Sequence, residues 1–219
     1  MIKRIAHFAD IHIRKNPSRH PEYREQFEKV YQTLEEQKPD RIVIVGDLYH
    51  DYIDLEGEAE ILMGEFLNRL ATLTDKVIIT RGNHDLRKKN LKRKDTIETI
   101  TTLIDNPKVV YYDKSDFYED DNVVWVVHHH REDVNPWDSI PHKKDKNKIY
   151  IDLYHNPVQG CLAHNGTLLK NDKYNISDFK GDYGFLGDIH LRQFLKYKEV
   201  EIEINENELD EYLKKGWSI

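Results

Sequence analysis

An α/β layered fold is the architecture this 219-residue sequence predicts, and three observations predict it. Short apolar runs rich in β-branched residues recur at 2–9, 41–45, 76–80, 123–127 and 149–154, with the length and composition of buried strands. Segments between the early runs carry apolar residues at helical spacing. Each strong run also ends in a polar cluster, as strands do when their carboxyl ends line a crevice.

Taken in order, run 2–9 leads into Asp10-Ile11-His12. Segment 21–37 places Tyr23, Phe27, Val30, Tyr31 and Leu34 on one helical stripe, with Pro21 suited to a first turn. Run 41–45 leads into Gly46-Asp47-Leu48-Tyr49-His50. A second helix is expected over 55–73, through Ile61, Leu62, Phe66 and Leu70, and a third over 94–104. Run 76–80 ends in Arg81-Gly82-Asn83-His84-Asp85, run 149–154 in His155-Asn156-Pro157-Val158, and Phe185-Leu186 leads into Gly187-Asp188-Ile189-His190. Run 123–127 ends in His128-His129-His130. Successive side chains of an extended chain point to opposite faces, so this triplet reads as a polar strand exit. Trp125, Trp137 and Trp217 read as packing residues. Beyond these, 198–204 alternates Val200, Ile202 and Ile204 with glutamates, predicting a strand with one exposed face, and 205–216 predicts a short final helix.

The length admits one sizeable domain with a short extension. No apolar run approaches membrane-spanning length, and the N-terminal run is too short for a secretion signal. A single cysteine, Cys161, excludes an internal disulfide and points to a reducing, cytoplasmic setting. The net charge of −7 counts against a nucleic-acid partner until its distribution is read. Acidic residues gather after 198, while Arg87, Lys88, Lys89, Lys92, Arg93 and Lys94 follow Asn83-His84-Asp85 directly. Lys143, Lys144, Lys146 and Lys148 form a second basic run, read as a solvated loop.

Oxygen and imidazole donors without thiolates suit Mn, Fe, Mg or Zn in a hydrolytic site. Any one of these clusters alone is a weak signal, since Gly-Asp ends many strands. Five in this order, each after an apolar run, are specific. The order DIH, GDLYH, GNHD, HNPV, GDIH resembles the calcineurin-like metallophosphoesterases. The finer matches DIHIR, GDLYH and LGDIHLRQ resemble the SbcD-type DNA repair nucleases, the nuclease partners of SMC-like ATPases.

The resemblance covers 1–195 as a nuclease domain and leaves 196–219 as an acidic strand and helix without the family's capping domain. It implies a two-layer β-sandwich flanked by helices, two divalent ions (Mn²⁺ foremost, with Mg²⁺, Fe²⁺ or Zn²⁺ as alternatives) and phosphodiester hydrolysis. Asp10, His12 and His190 would hold one ion, Asn83, His155 and Asp188 the other, with Asp47 bridging. DNA, an SMC-like ATPase and a second copy of the chain are the implied partners, in a cytoplasmic or nucleoid-associated setting.

Two divalent cations about 3.5–4 Å apart clamp a phosphate and acidify the water between them. His84 is then placed as general acid with Asp85 orienting its ring; in the resembling nucleases the position of His50 lies near the scissile phosphate, which makes it a second catalytic candidate. Arg14, Arg87, Lys88 and Arg192 follow the ligand motifs and are expected to bind substrate phosphates. The chain departs from the family's Gly-His-x-His ending, where Asp188 replaces the first histidine. Three rival readings share these residues: a small-molecule phosphoesterase, a protein phosphatase and a degenerate binding subunit.

Overall fold

The β-branched runs RIVIV and KVIIT form strands at the bounds their sequence predicts, and the layers assemble around them. The computed structural model describes residues 1–50, 57–86, 94–129, 132, 134–163, 165–170, 172–191 and 193–195. One sheet contains β1 (Ile5–Phe8), β2 (Arg41–Val45), β3 (Lys76–Thr80) and β4 (Val109–Tyr112), in that order and all parallel. A second sheet contains β5 (Asp116–Asp120), β6 (Val123–His128), β7 (Ile149–His155) and β8 (Tyr183–Gly187). Only its β5–β6 pair is antiparallel.

The three main helices, α1 (His20–Gln37), α2 (Gly57–Thr72) and α3 (Thr96–Ile104), are the crossovers that return the chain between parallel strands. They pack on the outer face of the first sheet, where Phe27, Tyr31, Leu62, Phe66 and Ile100 meet Ile42, Ile44, Val77 and Ile79. Each such fully buried Leu, Ile or Phe contributes on the order of 1.5–3 kcal/mol. The alternate residues of the same strands, Val43, Val45 and Ile78, face the second sheet and pack on Trp125, Val127, Ile151 and Leu153. A short helix, α4 (Pro136–Ser139), lies outside the second sheet, where Trp137 packs edge-on against Phe117 at 5.0 Å. The arrangement is the two-sheet α/β sandwich flanked by helices that the sequence predicts.

An ion cluster ties the sheets together at the amino ends of β2 and β3. Asp120 accepts from Arg41 Nε at 2.7 Å, Lys76 Nζ at 2.8 Å and Trp125 Nε1 at 3.2 Å. Burial works against its ionisation, but these donors outweigh it and hold the carboxyl down to about 2. The opposite, carboxyl ends of the strands are left to carry the polar motifs.

Two strands are absent from the sequence reading. β4 has only four residues, and β5 is Asp-Phe-Tyr-Glu-Asp, whose polar positions lie at a sheet edge and give no apolar run. The expected strand 198–204, helix 205–216 and Trp217 lie outside the described residues. Among the described residues, no helix is long and apolar enough to cross a membrane.

Candidate metal centre

Parallel register makes the polar clusters converge. β1, β2 and β3 end side by side, as do β7 and β8, and the two sheets face each other there. Backbone bonds then stitch the loops together. Asp10 N–H donates to Gly46 O at 3.2 Å, His12 N–H to Asp47 O at 3.0 Å, and His50 N–H to Ile13 O at 3.0 Å. Asp188 N–H donates to both Asp10 carboxylate oxygens, at 3.1 and 3.0 Å, linking the second sheet to the first.

The backbone is bent to do this. Asp10, His12, Asp47 and Asp188 all adopt left-handed φ, between 50° and 60°, a region costly to side-chain-bearing residues and typical of functional sites. Close approach accounts for two glycines. A Cβ on Gly82 would strike the Asp47 carboxylate, and one on Gly46 would lie 2.6 Å from the His155 ring and from Gly82 Cα. The Gly-Asp and Gly-Asn pairs are thus packing requirements of the site.

Among the described residues three groups of donors result: Asp10, His12 and His190; His12, Asp47 and His84; and Asp10, Asp47, His155 and Asp188. His12 Nε2 lies 3.7 Å from Asp10 Oδ1 and 3.6 Å from Asp47 Oδ2. His155 Nε2 lies 3.2 Å from Asp47 Oδ2, and His190 Nε2 lies 3.9 Å from Asp10 Oδ1. The His155 ring is fixed from behind, its Nδ1–H donating to Val45 O at 2.6 Å, which directs Nε2 toward the carboxylates. Asn83 Nδ2 donates to Asp188 Oδ2 at 3.2 Å, joining Asn83 to the same end of the cluster.

A buried site of this composition fits divalent cations. Asp47 Oδ2 and His155 Nε2 are buried with no hydrogen bond of acceptable geometry, although buried polar groups are nearly always satisfied. Protonation points the same way. Burial pushes the carboxyls of Asp10 and Asp188 up, and the charge of Asp47 raises both further. Burial would also neutralise His155, but the Asp47 carboxylate 3.2 Å from its Nε2 holds its pKa up to about 9. Three carboxylates around one imidazole lack positive charge, and bound cations supply it.

A family model for calcineurin-like phosphoesterases matches residues 3–205. The chain belongs to that family. An uncharacterized protein of Acanthamoeba polyphaga mimivirus is 34% identical over 211 residues, covering 89% of this chain but 15% of its own length, so the chain spans a small part of that relative. The crystal structure of Pseudomonas putida nuclease MPE aligns with a TM-score of 0.41 at 16% identity, over 75% of this chain and 66% of that one.

Elsewhere in the chain the predicted residues separate. His84 is half-buried, with its backbone N–H on Asp47 Oδ1 at 2.9 Å. Its ring stands edge-on to His12 at 5.0 Å and stacks with His50 at 5.8 Å. The expectation that Asp85 orients the His84 ring is corrected. His84 Nδ1–H donates instead to the His50 carbonyl at 2.6 Å. Asp85 is fully buried under the loops, where its carboxylate accepts Asp47 N–H at 2.8 Å, Gly82 N–H at 2.9 Å and Leu48 N–H at 3.1 Å. Burial, with the charge of Asp47 adding, pushes that carboxyl up to about 6. The GNHD turn wraps around the Asp85 carboxylate, so the side chain points inward while His84 points out.

The reading of His128-His129-His130 as a polar strand exit is also corrected, because His128 and His129 are buried. His128 pairs with Asp152 at 2.7 Å, and His129 Nε2 accepts from Arg81 at 2.7 Å. Arg14 is exposed beyond His12. Arg87, Lys88, Arg192 and His130 lie outside the described residues. Sequence reading missed Tyr23, whose hydroxyl donates to His12 O at 2.7 Å from α1 and steadies the ligand loop. The tyrosine sits on the apolar stripe, where only its partner distinguishes it from packing.

Asp85→Ala is expected to destabilise the fold by roughly 2 kcal/mol or more, since three buried backbone N–H groups lose their acceptor. Urea unfolding at unchanged m-value measures this, and a midpoint equal to the parent's would show that Asp85 supports neither loop.

Proposed function

We propose that this chain is a phosphodiesterase that cleaves DNA, with two divalent ions held by the residues named above. The ions when bound would neutralise the phosphate and activate water toward it. The carrying observation is the buried pair Asp47 Oδ2 and His155 Nε2, neither with a hydrogen bond of acceptable geometry, beside a half-buried His84.

In this reading Asp10, His12 and His190 form one ligand set, Asn83, His155 and Asp188 the other, and Asp47 serves both. His84 protonates the leaving oxygen. Its Nδ1–H is committed to the His50 carbonyl, so in the protonated ring Nε2–H is the proton to give. That carbonyl also orients the ring, the role the sequence reading gave to Asp85. The His50 ring, stacked on His84, limits rotation and helps orient the phosphate.

DNA is supported by the DIHIR and LGDIHLRQ matches, by exposed Arg14, and by the basic residues that follow the His84 loop in sequence. Lys94 pairs with Glu98 at 2.8 Å, so the test is made on Arg87, Lys88, Lys89, Lys92 and Arg93, which precede it in the same basic run. Changing these five to glutamine is expected to weaken duplex binding and flatten its salt dependence by about 0.9 in log–log slope per lost phosphate contact. An unchanged slope returns the cluster to a solvated loop. Labelled single- and double-stranded DNA, a cyclic nucleotide and a nucleotide polyphosphate, each incubated with Mn²⁺, test the substrate class. Cleavage of DNA is the expected result, and turnover of the small phosphoesters alone overturns it.

A further inference from the structure

Asp188 changes the chemistry of one end of the metal cluster. It brings a third carboxylate to the group Asp10, Asp47, His155 and Asp188, leaving His155 as the only imidazole there. The other end, Asp10, His12 and His190, has two imidazoles and one carboxylate. The donors are therefore unequal, hard and anionic on one side and nitrogen-rich on the other.

The arrangement is built rather than incidental. Asp188 holds a left-handed φ of 60°, which aspartate tolerates better than most residues. Its N–H is taken by Asp10, and its carboxylate accepts Asn83 Nδ2 at 3.2 Å. That bond settles which way the Asn83 amide faces, because with Nδ2 on Asp188 the amide oxygen is the atom left to meet a cation. His155 Nε2 and Asp47 Oδ2, buried and 3.2 Å apart yet each without a hydrogen bond of acceptable geometry, belong to the same group, so the cluster points to a cation independently of its acidity. With Asp47 serving both ends, Asn83, Asp47, Asp188 and His155 offer oxygen from three residues and nitrogen from one, against two of each from Asp10, Asp47, His12 and His190.

We infer that Asp188 makes this end selective for hard, oxygen-seeking divalent ions, Mn²⁺ or Mg²⁺, over Zn²⁺, while the His12–His190 end keeps an ordinary affinity for Zn²⁺. The inference rests on the two-metal reading of the site and specifies its metal. Zinc favours nitrogen and sulfur in a closed tetrahedral set, whereas oxygen-rich, anionic sets suit ions that take six ligands. Asp188 acts on selectivity twice, through its own oxygen and through the orientation it imposes on Asn83.

The test is competitive binding of Mn²⁺ against Zn²⁺ on the whole chain, followed by Mn²⁺ paramagnetic resonance and elemental analysis, for the parent, Asp188→His and Asp188→Asn. In Asp188→His the preference for Zn²⁺ over Mn²⁺ at the second position is expected to rise by about tenfold or more. Asp188→Asn preserves size and turn geometry but removes the charge, so it should weaken Mn²⁺ at one position of two. Thermal unfolding confirms that each variant is folded. If Asp188→His leaves the Zn²⁺-to-Mn²⁺ ratio unchanged, or Asp188→Asn binds both Mn²⁺ ions as tightly as the parent, the inference is overturned. These readouts do not depend on turnover: a chain that binds Mn²⁺ as expected but leaves DNA intact removes the nuclease reading and keeps this one.

Discussion

Asp47→Asn is expected to abolish hydrolysis with every divalent metal, leaving less than a few per cent of parental activity. Asp47 is fully buried and belongs to two of the three donor groups. Its two oxygens do different work: Oδ1 accepts the His84 backbone N–H at 2.9 Å, and Oδ2 faces His155 Nε2 at 3.2 Å and His12 Nε2 at 3.6 Å. Asparagine preserves the shape, which matters because Gly82 leaves no space around this side chain. It removes the negative charge that both ligand sets share, so both ions should bind more weakly at once. Single-turnover cleavage and metal content measured on the same preparation check this. Activity above a few per cent with two ions bound would remove Asp47 from its bridging position.

His84→Gln is expected to lower the rate by about 10² to 10⁴, the usual range for a lost general acid, while both ions remain bound. Two observations make the readout decisive. His84 lies in the donor group with His12 and Asp47, so a ligand role is the concrete alternative, and elemental analysis separates the two. Its ring is also held by the His50 carbonyl, so the proton it donates has a defined position. A leaving group that needs no proton discriminates further. With a nitrophenyl phosphodiester the loss should shrink to a small factor, whereas loss of a ligand would slow good and poor leaving groups alike. An equal loss on both substrates removes His84 as the acid.

Much of the fold and of the site is legible in the amino-acid sequence, for reasons visible in particular residues. Runs 41–45 and 76–80 are buried on both faces, so nearly every position is apolar and the strands declare themselves. The stripe Phe27, Tyr31 and Leu34 announces α1 in the same way, since all three are buried in the core. β5 does not show itself because Asp116, Glu119 and Asp120 are edge positions, and Asp120 owes its place to Arg41 and Lys76, distant in sequence. The candidate donors Asp10, His12, Asp47, His155, Asp188 and His190, which the fold brings together, are readable because each follows an apolar run within a few residues.

Residue order alone dictates the layered class, the helices and strands with strong periodicity, and the inventory of oxygen and imidazole donors at the strand ends. Those properties are local: they depend on which residue follows which. Packing in three dimensions settles which donors share a group, that His84 leans on the His50 carbonyl, that Asp85 turns inward to hold two loops, and that His128 is buried against Asp152. A hydrogen bond is settled by the direction of a side chain across a few ångströms. In the left-handed turns at Asp10, Asp47 and Asp188, that direction is set by the facing sheet and not by the chain's own neighbours.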